Sequence, residues 1–256
     1  MGTEMKPPEE KETYHLIFPE QYPLPPRIQE LSRLNTELSL SYQENTLIIR
    51  EAPPYAFRDY ENFLLRLPGF TEELFFQLEE LNDETHFEFD DKEEVIVKMS
   101  TFALISLLTG AVLTSLFIWA KSRKSGRVYT EDGGYMLESP NGKHLHRMAD
   151  ISYIAYSKAS QEEQASWYSR IPIAPSLAVE IVSAKRGLKP ALKKMKDIWM
   201  ANGTELGFVI CPFSKKIYIF EISKESYTEQ SIFEDFTHPD LPGYKENFSE
   251  YVEKIK

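Results

Sequence analysis

"ADISYIAYS" (149–157), "APSLAVEIVSA" (174–184) and "LKPALKKMKDIWMANG" (188–203) are the runs on which the reading of this chain turns. The first two are apolar and β-rich, and each carries one carboxylate: Asp150 opens the first and Glu180 sits inside the second. In "SLAVEIVS" every neighbour of Glu180 is a strand former or a small residue, which is a buried-strand pattern interrupted by one acid. A carboxylate placed there costs several kcal/mol unless something neutralises it. A divalent cation shared with Asp150 would do so, and a lysine-studded helix follows directly. Those are the parts of a metal-dependent, phosphodiester-cleaving site.

Working outward, the chain of 256 residues with 42% hydrophobic content can form one large domain, or a domain plus an N-terminal extension. A single cysteine, Cys211, excludes an intrachain disulfide framework and a cysteine-based zinc site, and points to a reducing, cytoplasmic compartment. The lead "MGTEMKPPEEKETY" has no apolar core and reads as a short disordered segment rather than a secretory signal. Lys6 stands where a myristoylation motif starting at Gly2 wants Ser or Thr. A net charge of -11 argues against broad coating of nucleic acid, and leaves room for basic residues concentrated on one face.

The first third is less legible. "LNTELSLSYQENTLIIRE" (Leu34–Glu51) and "LNDETHFEFDDKEEVIVKM" (Leu81–Met99) both read as β-hairpins, related by duplication or merely sharing a period. Between them, "FRDYENFLLRL" and "TEELFFQLEELN" suit two short helices separated by Pro68 and Gly69. Residues 1–55 are expected to be an extension, partly disordered, and 56–256 the main domain.

"TFALISLLTGAVLTSLFIWA" (101–120) carries no charge and is followed by "KSRKSGR". By length and hydropathy it is a transmembrane candidate with a positive flank. A helix buried on all sides at the centre of an α/β domain gives the same signal, and Ser106, Thr109, Gly110, Thr114 and Ser115 thin the hydrophobicity. Beyond it come the β runs "RVYTE", "GYMLES", "DISYIAYS", "SLAVEIVS", "ELGFVICP", "KKIYIFEI" and "EQSIFEDF", with turn chemistry at Gly133-Gly134 and Asn141-Gly142. A helix from about Leu188 to Ala201 between two apolar runs is a βαβ-like crossover. The expected class is α/β (α+β), a mixed sheet flanked by helices.

From about Glu88 to Tyr244 these residues resemble the "Putative restriction endonuclease" family, a bacterial group within the PD-(D/E)XK nuclease superfamily. The resemblance is carried by "RVYTEDGGYML", "RMADISYI", "APSLAVEIVSA", the Lys-rich helix ending "WMANGTELGFVICP", "KKIYIFE" and "HPDLPGY", in that order. It implies a restriction-endonuclease-like fold, and its continuity across residues 101–120 favours a soluble protein with no membrane partner. It further implies that Asp150 matches the aspartate opening the superfamily motif, with Ala149 in place of the usual proline, and that Glu180 matches the second acid. The lysine expected two residues later is replaced by Val182. Relatives that move this lysine to the following helix make Lys194 and Lys196 the candidates, with Met195 at the aligned position and Lys185 a third option. Glu88 stands where the family often has a further acid.

The implied chemistry is Mg2+ or Mn2+ held by Asp150, Glu180 and a backbone carbonyl such as that of Ile181, activating water against a phosphodiester. A lysine near the same phosphate offsets developing charge. The implied partner is DNA, with RNA open, and a homodimer is expected because such enzymes often pair to cut both strands. Plainer readings stand beside this one. Asp150 alone could be a turn or cap residue, Glu180 could pair with Lys185 or Arg186, and "KRGLKPALKKMK" alone is a solvated helix face. His144 and His146 read as surface loop histidines, and Trp119, Trp167 and Trp199 as core anchors. At the level of the whole chain, the alternatives are a catalytically inactive scaffold that binds nucleic acid or a partner, a membrane-anchored protein using residues 101–120, and an accessory subunit acting only as a dimer.

Overall fold

The computed structural model describes residues 13–51, 64–82, 85–98, 103–183 and 187–252. They belong to two compact units, one of residues 1–87 and 92–99, the other of 88–91 and 100–256. In the first unit, β1 (Thr13–Ile17) is followed by α1 (Leu24–Leu34), β2 (Leu38–Gln43) and β3 (Thr46–Glu51). β2 and β3 form the expected hairpin, and β1 completes a three-stranded antiparallel sheet in the order β1-β3-β2. Prolines in the first turn of α1 suit positions where the amide has no helical partner. At its other end the buried Asn35 amide donates to the Leu31 and Arg66 carbonyls and accepts from the Arg66 N–H.

Residues 64–67, expected to be helical, are instead the start of β4 (Leu64–Pro68), which pairs antiparallel with β6 (Glu94–Lys98). The period decides it: Leu65 and Leu67 are both fully buried, so a two-residue repeat buries the leucines that a helix would splay apart. The preceding residues 57–63 of that expected helix lie outside the described residues. α2 (Glu72–Leu81) matches its expectation, with the Thr71 hydroxyl accepting the Leu74 amide and two acids in its first turn. The short β5 (Phe87–Phe89) delivers Glu88 and Phe89 to the second unit.

The second unit is built on a six-stranded sheet. After α3 (Ala103–Arg123), its chain order is β7 (Gly126–Thr130), β8 (Tyr135–Glu138), β9 (His144–Arg147), β10 (Ile151–Ala155), α4 (Gln161–Ser166), β11 (Leu177–Ile181), α5 (Leu188–Lys194), β12 (Leu206–Cys211), β13 (Lys216–Glu221), β14 (Thr228–Ser231) and α6 (Ser249–Val252). The sheet runs β14-β13-β12-β11-β10-β7. Only β11 and β12 are parallel, joined through α5, and all other neighbours are antiparallel. This is the expected mixed α/β architecture. β8 and β9 form an antiparallel pair outside this sheet, and β9 also pairs antiparallel with β5, where Phe89 faces His146.

Alternation sorts the strands onto two faces. Ile151, Tyr153, Leu177, Val179, Ile181, Phe208 and Ile210 pack against α3, while Ile154, Ala178, Val182, Val209 and Cys211 pack against the α5 side. α3 is not buried all round, as its sequence suggests: 33% of Ile105–Arg123 is buried. Ile105, Leu108, Val112, Leu116 and Trp119 form one stripe against the sheet, while Leu107 and Ile118 are 55% and 62% exposed. One sheet face can bury only one side of a helix. The C-terminal run closes over the same stripe, with the Trp119 indole donating to the Pro242 carbonyl at 3.1 Å and Tyr244 bonding Ser115 at 2.9 Å.

If that stripe anchors α3, Leu116→Ala will cost about 2–5 kcal/mol in urea unfolding, whereas Ile118→Ser will stay within about 0.5 kcal/mol of wild type. Equal effects would mean the helix is not held by this face.

Candidate active site

Glu180 is fourth in β11, on the same side as Ala178 and Val182, so its carboxylate points to the face covered by α5 and not to α3. It is buried, as its apolar neighbours predict. Asp150 stands immediately before β10, half-buried, and accepts the Ile181 amide at 2.6 Å. The acid of one strand is thereby bonded to the residue next to the acid of the other. Antiparallel pairing of Ile151 with Val179 fixes that approach.

Lys194, the last residue of α5, bridges Glu88 and Glu180. Its ammonium donates to Glu88 Oε1 at 2.6 Å and to the Met148 carbonyl at 2.7 Å, and lies 3.1 Å from Glu180 Oε1. The side chains of Lys194, Glu88 and Glu180 are 16%, 9% and 7% exposed. An ion pair this sheltered is not screened as a surface pair is, and the loss of one member strands the others. Glu88 and Glu180 meet at one ammonium, and Asp150 stands on the neighbouring strand, bonded to the residue after Glu180. Carboxylates gathered in this way are the hard oxygen donors that a divalent cation takes.

Glu180 has a second donor. Trp199 is fully buried, and its indole N–H donates to Glu180 Oε1 at 2.7 Å. The two carboxylate oxygens are therefore unequal: Oε1 accepts the indole N–H and lies 3.1 Å from the ammonium, while Oε2 accepts from the ammonium at 3.4 Å. Sequence reasoning placed Trp199 in the core but missed this role, because a tryptophan five residues after a lysine does not fall on one face of an α-helix. The Met148 carbonyl and the Ile181 amide were equally invisible, since backbone groups leave no mark in the residue alphabet.

Of the residues singled out in the sequence, Asp150, Glu180, Ile181, Glu88 and Lys194 converge. Lys196 does not: it is exposed and joins none of these contacts. Met195, at the aligned position, is fully buried, and its sulfur sits where a side chain on Gly207 of β12 would have to go. Val182, where the basic pattern has lysine, is likewise buried. Lys185 and Arg186 lie outside the described residues. His144 and His146 are in β9 and not in a loop; His144 is exposed, whereas His146 is fully buried with its ring 6.1 Å from Phe89. Elsewhere in the unit, Glu221, His238 and Asp240 bring ligand atoms within 4.8 Å of one another. His238 Nδ1 already accepts the Asp240 amide at 3.2 Å, which leaves the ring hydrogen on Nε2, facing Glu221.

No curated protein matches the chain. Among solved structures, the crystal structure of a putative nuclease of the DUF820 family from Anabaena variabilis matches with a TM-score of 0.55 at 17% identity. That match covers 72% of this chain and 98% of the other. The likeness establishes a shared fold. The family model described as Uma2, "Putative restriction endonuclease", matches residues 72–250, a span that holds every converging residue. That span is well over half of the sequence, and the chain belongs to the Putative restriction endonuclease family.

Proposed function

We propose that this chain is a metal-dependent endonuclease of the PD-(D/E)XK type that hydrolyses phosphodiester bonds, in DNA before RNA. The observation that carries the reading is the Lys194 ammonium placed 2.6 Å from Glu88 and 3.1 Å from Glu180, with Asp150 bonded one residue away at Ile181. Asp150, Glu180 and the Ile181 carbonyl would hold Mg2+ or Mn2+. Bound there, the cation lowers the pKa of a water and polarises a phosphoryl oxygen.

The remaining work falls to the chain's own groups. An ammonium has three N–H donors, and Lys194 directs them to Glu88, the Met148 carbonyl and Glu180. The Glu180 contact is the longest, so it is the one that would yield if Glu180 held a cation. The donor so released would face a phosphate at this site and offset charge as its leaving oxygen departs. Glu88 and Met148 keep the ammonium in place meanwhile. A cytoplasmic homodimer, one copy cutting each strand, belongs to the same proposal.

A second reading has its own support. With Val182 buried in place of the strand lysine and all three Lys194 donors taken up internally, the site could be a binding scaffold without turnover.

Supercoiled plasmid separates the two. Mg2+- or Mn2+-dependent nicking by wild type, lost in Glu180→Ala, is the expected result; no cutting by folded wild-type protein favours the scaffold. In calorimetry, Glu180→Gln will abolish Mn2+ binding without unfolding the protein, and unchanged binding would remove Glu180 from the metal site. Lys194→Met will slow nicking by about 10²–10³-fold with metal binding retained, and Lys196→Met will cut as wild type does. The opposite ranking would move the role to Lys196.

A further inference from the structure

We infer that Trp199 is a positioning residue for Glu180, and that a π-helical segment places it there. The inference rests on the proposed role of Glu180 as a metal ligand. After α5 the helix does not continue as α: residues Met195–Trp199 are π-helical, and the Met200 amide reaches back to the Met195 carbonyl as well as to that of Lys196. In an α-helix, residues five apart point about 140° away from each other. Widening the turn by one residue brings them together. Lys194 and Trp199 consequently address the same carboxylate, and the ammonium lies 5.9 Å from the indole ring. Met195 meanwhile turns into the core against Gly207.

The indole is itself held. The Tyr135 ring meets it edge-on at 5.3 Å, and the Tyr135 hydroxyl bonds the Ser152 hydroxyl of β10 at 2.6 Å. Burial pushes the Tyr135 phenol well above its ordinary pKa, so it stays protonated and the bond persists. Trp199 can therefore present its N–H to Glu180 Oε1 from one direction only, which fixes the orientation of the whole carboxylate, Oε2 included. A neutral donor suits this task, since it fixes a carboxylate without competing for it as a second charge would.

The test is the side-chain indole spectrum of 15N-labelled protein, whose three tryptophans are Trp119, Trp167 and Trp199. Single Trp119→Phe and Trp167→Phe variants assign the Trp199 signal by elimination. Glu180→Gln is expected to shift that signal while leaving Trp119, bonded to Pro242, in place. Trp199→Phe is expected to weaken Mn2+ binding by about 10–100-fold. An indole signal indifferent to Glu180→Gln overturns the inference even if Trp199→Phe fails to fold, as does full-strength Mn2+ binding by a folded Trp199→Phe. Wild-type protein that neither binds metal nor cuts would refute the proposed function instead, and the indole shift would still decide whether Trp199 holds Glu180.

Discussion

A carboxylate buried in the middle of a sheet is the constraint to which the rest of this site answers. Glu180 sits among Ala178, Val179, Ile181 and Val182 and can stay ionised there only if donors or cations surround it. The structure supplies an indole N–H and an ammonium on the helix that follows, with a second acid balancing the ammonium. Each of these groups is itself sheltered, so removal of any one leaves a charge or a donor without its complement. Such interdependence stabilises the fold little. It does favour one arrangement of side chains over others that the same backbone would accept.

Much of this was legible in the sequence because strands declare their faces. The runs from "RVYTE" to "EQSIFEDF" alternate or run apolar at strand length, and each contributes to a strand of the second unit, although β14 takes only Glu229–Ser231 of the last. Asp150 and Glu180 stood out for a related reason, since acids inside or beside strand-forming residues are costly enough to demand a purpose, whereas Glu88 was marked only by the family resemblance. Three features resisted. "LLRLP" has leucines whose spacing fits either period over so short a run, and only pairing with β6 selects the strand. α3 is so uniformly apolar that its buried stripe is not marked by composition, and its contact with the sheet alone reveals it. The choice between Lys194 and Lys196 turned on a wider helical turn, which has no distinctive residues.

That turn also explains why Met195 could occupy an aligned position without disabling the arrangement. A strict α-helix would offer either Lys194 or Trp199 to the carboxylate. Extra hydrogen bonding from Met200 to Met195 and Lys196 stabilises the widened geometry, and the gap at Gly207 accommodates the displaced methionine. Glycine there is a matter of space: a Cβ would lie 2.3 Å from the Met195 sulfur.

The route of the chain through Glu88 bears on how the protein can be divided. This acid reaches the second unit on an excursion of four residues, 88–91, flanked on both sides by segments that belong to the first. A fragment cut at residue 100 would keep the six-stranded sheet, both strand acids and the lysine, yet it would lack the partner that Lys194 holds at 2.6 Å. Modular boundaries and the site's membership therefore do not coincide. Any domain shuffled, circularly permuted or expressed from this sequence must carry residues 88–91 with it to remain whole.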